Sequence, residues 1–183
     1  AVFDRAMGLT SNEVRSILPM SDGSVWVGTS GGLSHLIAGK IVEYHVKDGL
    51  SGEFVTALTV QPNGKLWVGT GSGVSVKEGD SFRLLPLNKL EQADYVFGFY
   101  QPPGSADLWL ATDRGLVHFA ASTGDMQLVG KAAGLPFDKI FAIAAEADQY
   151  FWLSSNRGIL RVKQQDVLDV ATGHLAQLVG YEL

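Results

Sequence analysis

VWVGTSGGL, residues 25–33, recurs in related form as LWVGTGSGV at 66–74, LWLATDRGL at 108–116 and FWLSSNRGI at 151–159. The tryptophans of these stretches lie 41, 42 and 43 residues apart: Trp26, Trp67, Trp109 and Trp152. A glycine follows each tryptophan six residues later: Gly32, Gly73, Gly115 and Gly158. One unit of about 42 residues is therefore used four times, and a period of this size is typical of a propeller or a solenoid.

The repeated unit has the pattern of β-strands. Its apolar stretches are short, rich in Val, Ile and aromatic residues, and separated by Gly, Ser, Asp and Asn. In the first unit we predict strands at 14–18, 25–29, 33–37 and 41–46, with a hairpin turn at 21–24. Four strands in about 42 residues correspond to one propeller blade. We therefore predict an all-β fold, a β-propeller of four blades of four-stranded antiparallel sheet, as part of a larger propeller.

We expect a single domain over 1–183, with repeats at approximately 8–48, 49–89, 90–133 and 134–183. Residues 1–5 align with the fourth strand of a preceding unit, and residues 178–181 should form the fourth strand of the last blade. Two segments break the repeat. The stretch QPPGSAD at 101–107 adds two residues to the third unit, and QQDVLDVA at 164–171 predicts a short helix before the last strand.

Composition excludes several functional classes. Hydrophobic residues make up 46% and charged residues 18% of the 183, which excludes disorder. The net charge of −5 argues against nucleic acid or an anionic membrane surface as the partner. No run of 18 apolar residues occurs, so we expect no membrane insertion of this segment. The absence of cysteine excludes disulfides and Cys-ligated metals.

The positions of the tryptophans and histidines favour structural roles over catalytic or metal-binding roles. Because the tryptophans recur at the same register, we interpret them as packing between blades and not as stacking platforms for a ligand. The four histidines have no metal-site spacing: His35, His45, His118 and His174. His35 and His118 share one strand-three position, which we interpret as a tolerated surface slot. No catalytic motif is present, so we predict neither catalytic nor metal-binding residues.

The repeat resembles that of the two-component regulator propeller family. The resemblance rests on GLTSNEV at 8–14, on Asp22-Gly23 and on VWVGTSGGL at 25–33. The second unit departs at GLSGEFV (49–55), and the last two lose the Gly-Thr pair after Trp. The resemblance implies a periplasmic sensor propeller without a cofactor, joined to a histidine kinase or diguanylate cyclase output across the membrane. Four repeats are fewer than such propellers carry, so we expect this chain to be a portion of a longer receptor.

Three functional classes remain open. The first is a non-catalytic ligand-sensing module whose partners are a small molecule or oligosaccharide and the remaining blades or a second copy of the chain. The second is a propeller-scaffold enzyme of the streptogramin lyase type, which would need a convergent His/Glu/Arg cluster near the axis. The third is a structural propeller that binds other proteins.

A candidate ligand site follows from where the repeats differ. In a propeller, the loops that enter each blade and the turns between strands two and three lie on the same face. In the last two blades these segments carry charged and aromatic residues: Asp94, Tyr95, Arg114, Asp138, Lys139 and Arg157. Arginine offers a planar donor fork for carboxylates or sugar hydroxyls, and tyrosine a stacking face. The alternative is solvated turns with local Arg–Asp pairs of little energetic weight.

Overall fold

A computed structural model of the chain describes residues 1–147 and 149–180, and in these ranges fifteen strands form four antiparallel sheets. Strands follow one another in sequence order across each sheet. The first sheet contains β1 (Val14–Pro19), β2 (Val25–Thr29), β3 (Gly32–Ile37) and β4 (Lys40–Tyr44). The second contains β5 (Val55–Val60), β6 (Leu66–Thr70), β7 (Gly73–Glu78) and β8 (Ser81–Leu84). The third contains β9 (Val96–Tyr100), β10 (Leu108–Thr112), β11 (Gly115–Ala120) and β12 (Asp125–Val129). The fourth contains β13 (Ile140–Glu146), β14 (Tyr150–Ser155) and β15 (Gly158–Lys163).

These sheets are the predicted blades. Strand two of each blade carries the tryptophan, and in β6 and β10 every residue is buried. The tryptophans of the first three blades are 3%, 1% and 4% exposed, whereas Trp152 is 40% exposed. Trp26 and Trp109 belong to clusters that join two sheets, which confirms packing between sheets for these two. Trp152 differs because no further sheet follows the fourth one in the described residues.

A short 3-10 helix leads into each blade, and it explains the Gly-Leu pair of the repeat. The four helices are Arg5–Met7, Val46–Asp48, Leu87–Lys89 and Lys131–Ala133. Three of them end at a glycine with φ between 94° and 114°, a conformation that glycine adopts without strain. The leucine after each of these glycines is buried: Leu9, Leu50 and Leu135. The second 3-10 helix also ends strand four of the first blade at Tyr44, two residues earlier than predicted.

Both ends of the described chain differ from prediction. Residues 1–5 form no strand, and Arg5 already begins the first 3-10 helix. The predicted strand at 178–181 is wrong for residues 178–180, while residue 181 lies outside the described residues. The amide of Leu178 instead donates to the carbonyl of Ala133 at 2.8 Å, so it bonds to the blade's own entry helix. The predicted helix is confirmed as α1 (Gln164–Ala171), and it follows β15 directly.

The chain divides into two compact units, each with its own core. One unit is Ala1–Pro86 with Asp94–Val96, and it joins the first and second sheets through a cluster that includes Trp26, Leu33 and Val55. The other is Leu87–Ala93 with the chain from Phe97 onward. Its core joins the third and fourth sheets to α1 through Trp109, Ile140, Phe151 and Val167, among others.

Candidate ligand-binding rim

The turn between strands two and three has the same hydrogen bonds in all four blades. The hydroxyl of the last residue of strand two accepts from the backbone N–H two residues later, at 3.0–3.1 Å. It also donates to the carbonyl three residues later, at 2.9–3.5 Å. These hydroxyls belong to Thr29, Thr70, Thr112 and Ser155. The glycine that closes each turn has φ of 126–134°, a conformation that glycine adopts without strain. This hydroxyl clamp holds the turn through backbone atoms, so the clamp itself places no restriction on the side chain at the second turn position.

The second turn position changes along the chain. It is Gly31 in the first blade, Ser72 in the second, Arg114 in the third and Arg157 in the fourth. A side chain at position 31 would lie 2.8 Å from the Thr10 carbonyl oxygen, which closes that position to larger residues. Arg114 and Arg157 are both exposed. The last two blades therefore present a guanidinium group from a backbone position that the hydroxyl clamp holds.

The fourth blade brings several predicted residues into one cleft. The cleft has a volume of about 180 Å³ and is lined by Lys131, Asp138, Lys139, Asn156 and Arg157. Lys131 Nζ lies 2.9 Å from Asp138 Oδ2, and both side chains are partly exposed. We call this cleft and its five residues the rim cleft. Three cationic side chains and one carboxylate line it, so its net charge is positive and suits an anionic or hydroxylated ligand group.

The remaining predicted site residues are not part of the rim cleft. Arg114 does not line it, although the Arg114 carbonyl lies against Gly130, the residue before Lys131. Asp94 and Tyr95 belong to the first compact unit, where the Tyr95 ring lies 6.5 Å from that of Phe54. Sequence reasoning thus located Asp138, Lys139 and Arg157 in one cleft. It missed Lys131 and Asn156; Lys131 lies in the entry helix, which was not recognised as an element.

A histidine stands before the 3-10 helix that leads into the second blade, where the fourth blade has Gly130. His45 Nδ1 lies 2.8 Å from Glu53 Oε2, and His45 Nε2 lies 3.4 Å from Glu43 Oε2. The hydrogen bond with Glu53 raises the pKa of His45 above its usual value, against a smaller opposing effect of burial. The other Glu53 oxygen accepts from the Val46 amide at 3.1 Å. Glu53 is therefore engaged by its own entry segment, as Asp138 is by Lys131 in the rim cleft.

The interpretation of His35 and His118 as a tolerated surface slot is wrong for His118, whereas His35 is partly exposed. His118 is only 3% exposed, and its Nε2 lies 3.0 Å from Asp107 Oδ2. His35 stacks on Trp26 with ring centroids 3.7 Å apart. Both histidines are the direct cross-strand partners of a repeat tryptophan, a pairing that the register of strands two and three sets. In residues 1–147 and 149–180, no group of three or more metal-binding side chains is placed to hold an ion.

A known protein family has a repeat that matches the first two units of this chain. Residues 8–31 and 49–72 match the family model described as two component regulator propeller, which confirms the resemblance read from the sequence. The two segments are the entry loop and first hairpin of the first and second blades. No curated protein matches the chain.

Solved structures show the propeller fold. The extracellular domain of a protein assigned as a hybrid two component system, BT3049 from B. thetaiotaomicron, matches 91% of this chain at 19% identity and a TM-score of 0.79. A second such domain from the same organism, BT4673, matches 86% at 25% identity and a TM-score of 0.65. Virginiamycin B lyase from Staphylococcus aureus matches 84% at 18% identity and a TM-score of 0.62.

The chain is short beside these structures. It spans 25% and 22% of the two extracellular domains and 53% of the lyase. These likenesses establish the chain as blades of a β-propeller. Of the helices in the described part of the chain, none has the length and apolar character that spanning a membrane requires.

Proposed function

We propose that this chain is a non-catalytic, ligand-sensing part of an extracytoplasmic propeller in a bacterial signalling receptor. The family match and the two extracellular domains of two component systems support this reading. In such a receptor the propeller is periplasmic, and a histidine kinase or diguanylate cyclase elsewhere in the protein gives the output. Further blades or a second copy would cover the exposed face around Trp152.

We place the ligand contact at the rim cleft. The observation that carries this proposal is that Lys131, Lys139 and Arg157 line one cleft whose single carboxylate, Asp138, is paired with Lys131. A structural turn has no need of three cations, because the hydroxyl clamp and the glycine already hold the backbone. The cleft therefore suits a small molecule or oligosaccharide that carries a carboxylate, with Arg157 supplying paired donors and the lysines point charges.

The test is the double change Arg114→Ala with Arg157→Ala, compared with Lys163→Ala. Lys163 is an exposed cation at the other end of β15, so its loss changes net charge but not the rim cleft. Binding of galacturonate oligomers and of their neutral galactose counterparts is measured by calorimetry at low and moderate salt. We expect the double variant to bind the acidic oligomers about tenfold or more weakly, since hydrogen bonds to charged groups are the strong ones. Unchanged affinity with an intact fold would refute the site.

A further inference from the structure

A second cleft lies within the unit that holds the third and fourth blades. Its volume is about 230 Å³, and it lies between the 101–107 loop and the first turn of α1. These two segments are the places where the third and fourth units depart from the repeat. The 101–107 loop joins strands one and two of its blade, whereas the rim cleft lies at the turns between strands two and three. These two kinds of turn are at opposite ends of strand two, so the second cleft and the rim cleft are at opposite ends of the strands. The five residues of β10 separate those ends by about 17 Å.

The insertion in the third blade breaks a hydrogen bond that two other blades keep. In the second blade, Trp67 Nε1 donates to Gln61 Oε1 at 2.6 Å, and Trp152 Nε1 donates to Glu146 Oε2 at 2.9 Å in the fourth. Gln101 is the counterpart of Gln61, but its amide nitrogen donates to the carbonyls of Ser105 and Asp107, at 2.6 and 2.7 Å.

The rearranged loop leaves polar groups without partners beside the cleft. Gln101 Oε1 is buried and accepts no hydrogen bond in the structure. The indole N–H of Trp109 lines the cleft and makes no hydrogen bond to another described residue, so it is an accessible donor that faces the cleft. An indole nitrogen can only donate, so its partner in the cleft must be a hydrogen-bond acceptor.

The carboxylate that lines the cleft, Asp107, already has hydrogen-bond partners within the protein. Asp107 Oδ2 lies 3.0 Å from His118 Nε2, and Asp107 Oδ1 accepts from the Ala121 amide at 2.9 Å. No lysine or arginine lines the cleft. An anionic ligand would find no cation there, and a cationic one would compete with an existing Asp–His pair.

The helix side of the cleft offers neutral acceptors. The side-chain amide nitrogens of Gln164 and Gln165 donate to the Tyr150 carbonyl and to Asp169, at 3.0 and 2.8 Å. Both carbonyl oxygens are then left to accept. Ser105 adds a hydroxyl that accepts from the Asp107 amide and retains its own proton to donate. Donors and acceptors of this kind, without net charge, match hydroxyl groups, which both give and accept hydrogen bonds.

We propose that this cleft is a second binding site, separate from the rim cleft, for one uncharged polyhydroxylated molecule the size of a sugar ring or a cyclic polyol. Its volume is below the roughly 300–1,000 Å³ of sites for drug-sized ligands, so it accommodates a single ring. The 101–107 loop supplies Ser105 and frees the Trp109 indole N–H, and α1 supplies the two glutamines. The insertions in the two units thus form the two walls of one site.

The experiment is calorimetry on the whole chain with glucose, galactose, mannose and myo-inositol. Glucuronate and glucosamine serve as the acidic and basic counterparts. We expect at least one neutral compound to bind, and to bind more tightly than its charged counterparts. Trp109→Phe removes the donor and keeps the ring, and Gln165→Ala removes an acceptor at an exposed position. Each should weaken binding about fivefold to tenfold.

The matched control is Gln177→Ala, an exposed glutamine of the same unit outside the cleft. It should leave affinity unchanged, as should the Arg114/Arg157 double variant, which separates this site from the rim cleft. Absence of binding by every neutral compound, or tighter binding of a charged counterpart, would overturn the proposal. So would equal effects of Gln165→Ala and Gln177→Ala. If Trp109→Phe unfolds the chain, the two glutamine variants still decide.

Discussion

The closing glycines of the third and fourth blades form a matched pair for testing how strand four constrains the turn. Gly115 and Gly158 have φ of 129° and 126°, so replacement by alanine imposes the same backbone strain at both, about 1–3 kcal/mol. Their surroundings differ. An alanine Cβ at 115 would overlap the carbonyl oxygen of Val129 in β12. At 158 no atom of the described residues lies within 4 Å of that position, and the described part of this sheet has three strands.

Gly115→Ala must therefore displace β12 as well as strain the turn. Forcing atoms into packed structure costs a further ~1–3 kcal/mol, so the free energy of unfolding should fall by about 2–6 kcal/mol at 115 and by about 1–3 kcal/mol at 158. Both glycines lie in the same compact unit, so one cooperative transition reports on both.

Urea unfolding followed by tryptophan fluorescence and far-ultraviolet circular dichroism measures both changes. The midpoint for Gly115→Ala should be lower than that for Gly158→Ala, with similar slopes. Equal destabilisation of the two variants would show that strain alone determines the cost and that β12 yields freely. A greater loss at 158 would refute the placement of that turn beside an open strand edge.

Three further predictions concern two histidines and a pair of tryptophans. The pKa of His45 is raised by its hydrogen bond with Glu53, so its stabilisation is complete below about pH 6.5 and is lost as the pH rises through the raised pKa. His45→Gln should therefore be less stable than wild type at pH 5.5 and converge with it above pH 8; a constant difference would contradict this. Burial lowers the pKa of His35, so that histidine stabilises above pH 6.5 and loses its effect as the pH falls through the lowered pKa, and His35→Gln should show the opposite trend. Trp109→Ala should lower the free energy of unfolding by about 3–5 kcal/mol, and Trp152→Ala by roughly 2–3 kcal/mol because Trp152 is 40% exposed. Chemical denaturation measures both changes, and equal losses would show that Trp152 is as well packed as Trp109.

The blades were predictable because each local signal repeats four times. Trp and Gly six residues apart locate strand two and the turn after it, and the pattern around them needs no long-range information. The helix at 164–171 was also predictable, since its 3.6-residue periodicity stands out from the strands around it. Strand four of the last blade was not, because the chain after α1 forms hydrogen bonds other than those along the edge of β15. Leu178 instead bonds to the entry helix.

The candidate sites were only partly predictable. Arg157, Asp138 and Lys139 could be placed together because turn and entry loop occupy fixed ends of a blade. The second cleft depends on how the 101–107 loop folds back on itself. The loop folds this way because the side chain of Gln101 bonds to two loop carbonyls and not to the indole of Trp109. The spacing of residues in the sequence does not show which of these hydrogen bonds forms. The burial of His118 has the same origin, since its partner Asp107 comes from the inserted loop.

The hydroxyl clamp of the strand two-to-three turn also affects which residues of such a protein can change during evolution. Because Thr112 and Ser155 hold their turns through backbone atoms alone, the residues they enclose can be exchanged without refolding the blade. A new binding preference then requires substitutions at positions such as 72, 114 and 157, with no compensating change in the core. Position 31 lacks this freedom, since the Thr10 carbonyl leaves no room for a side chain. At three of the four blades, the exposed residue of this turn can thus change without a change in the residues that hold the fold, so the chemistry of this rim can vary at little risk to stability.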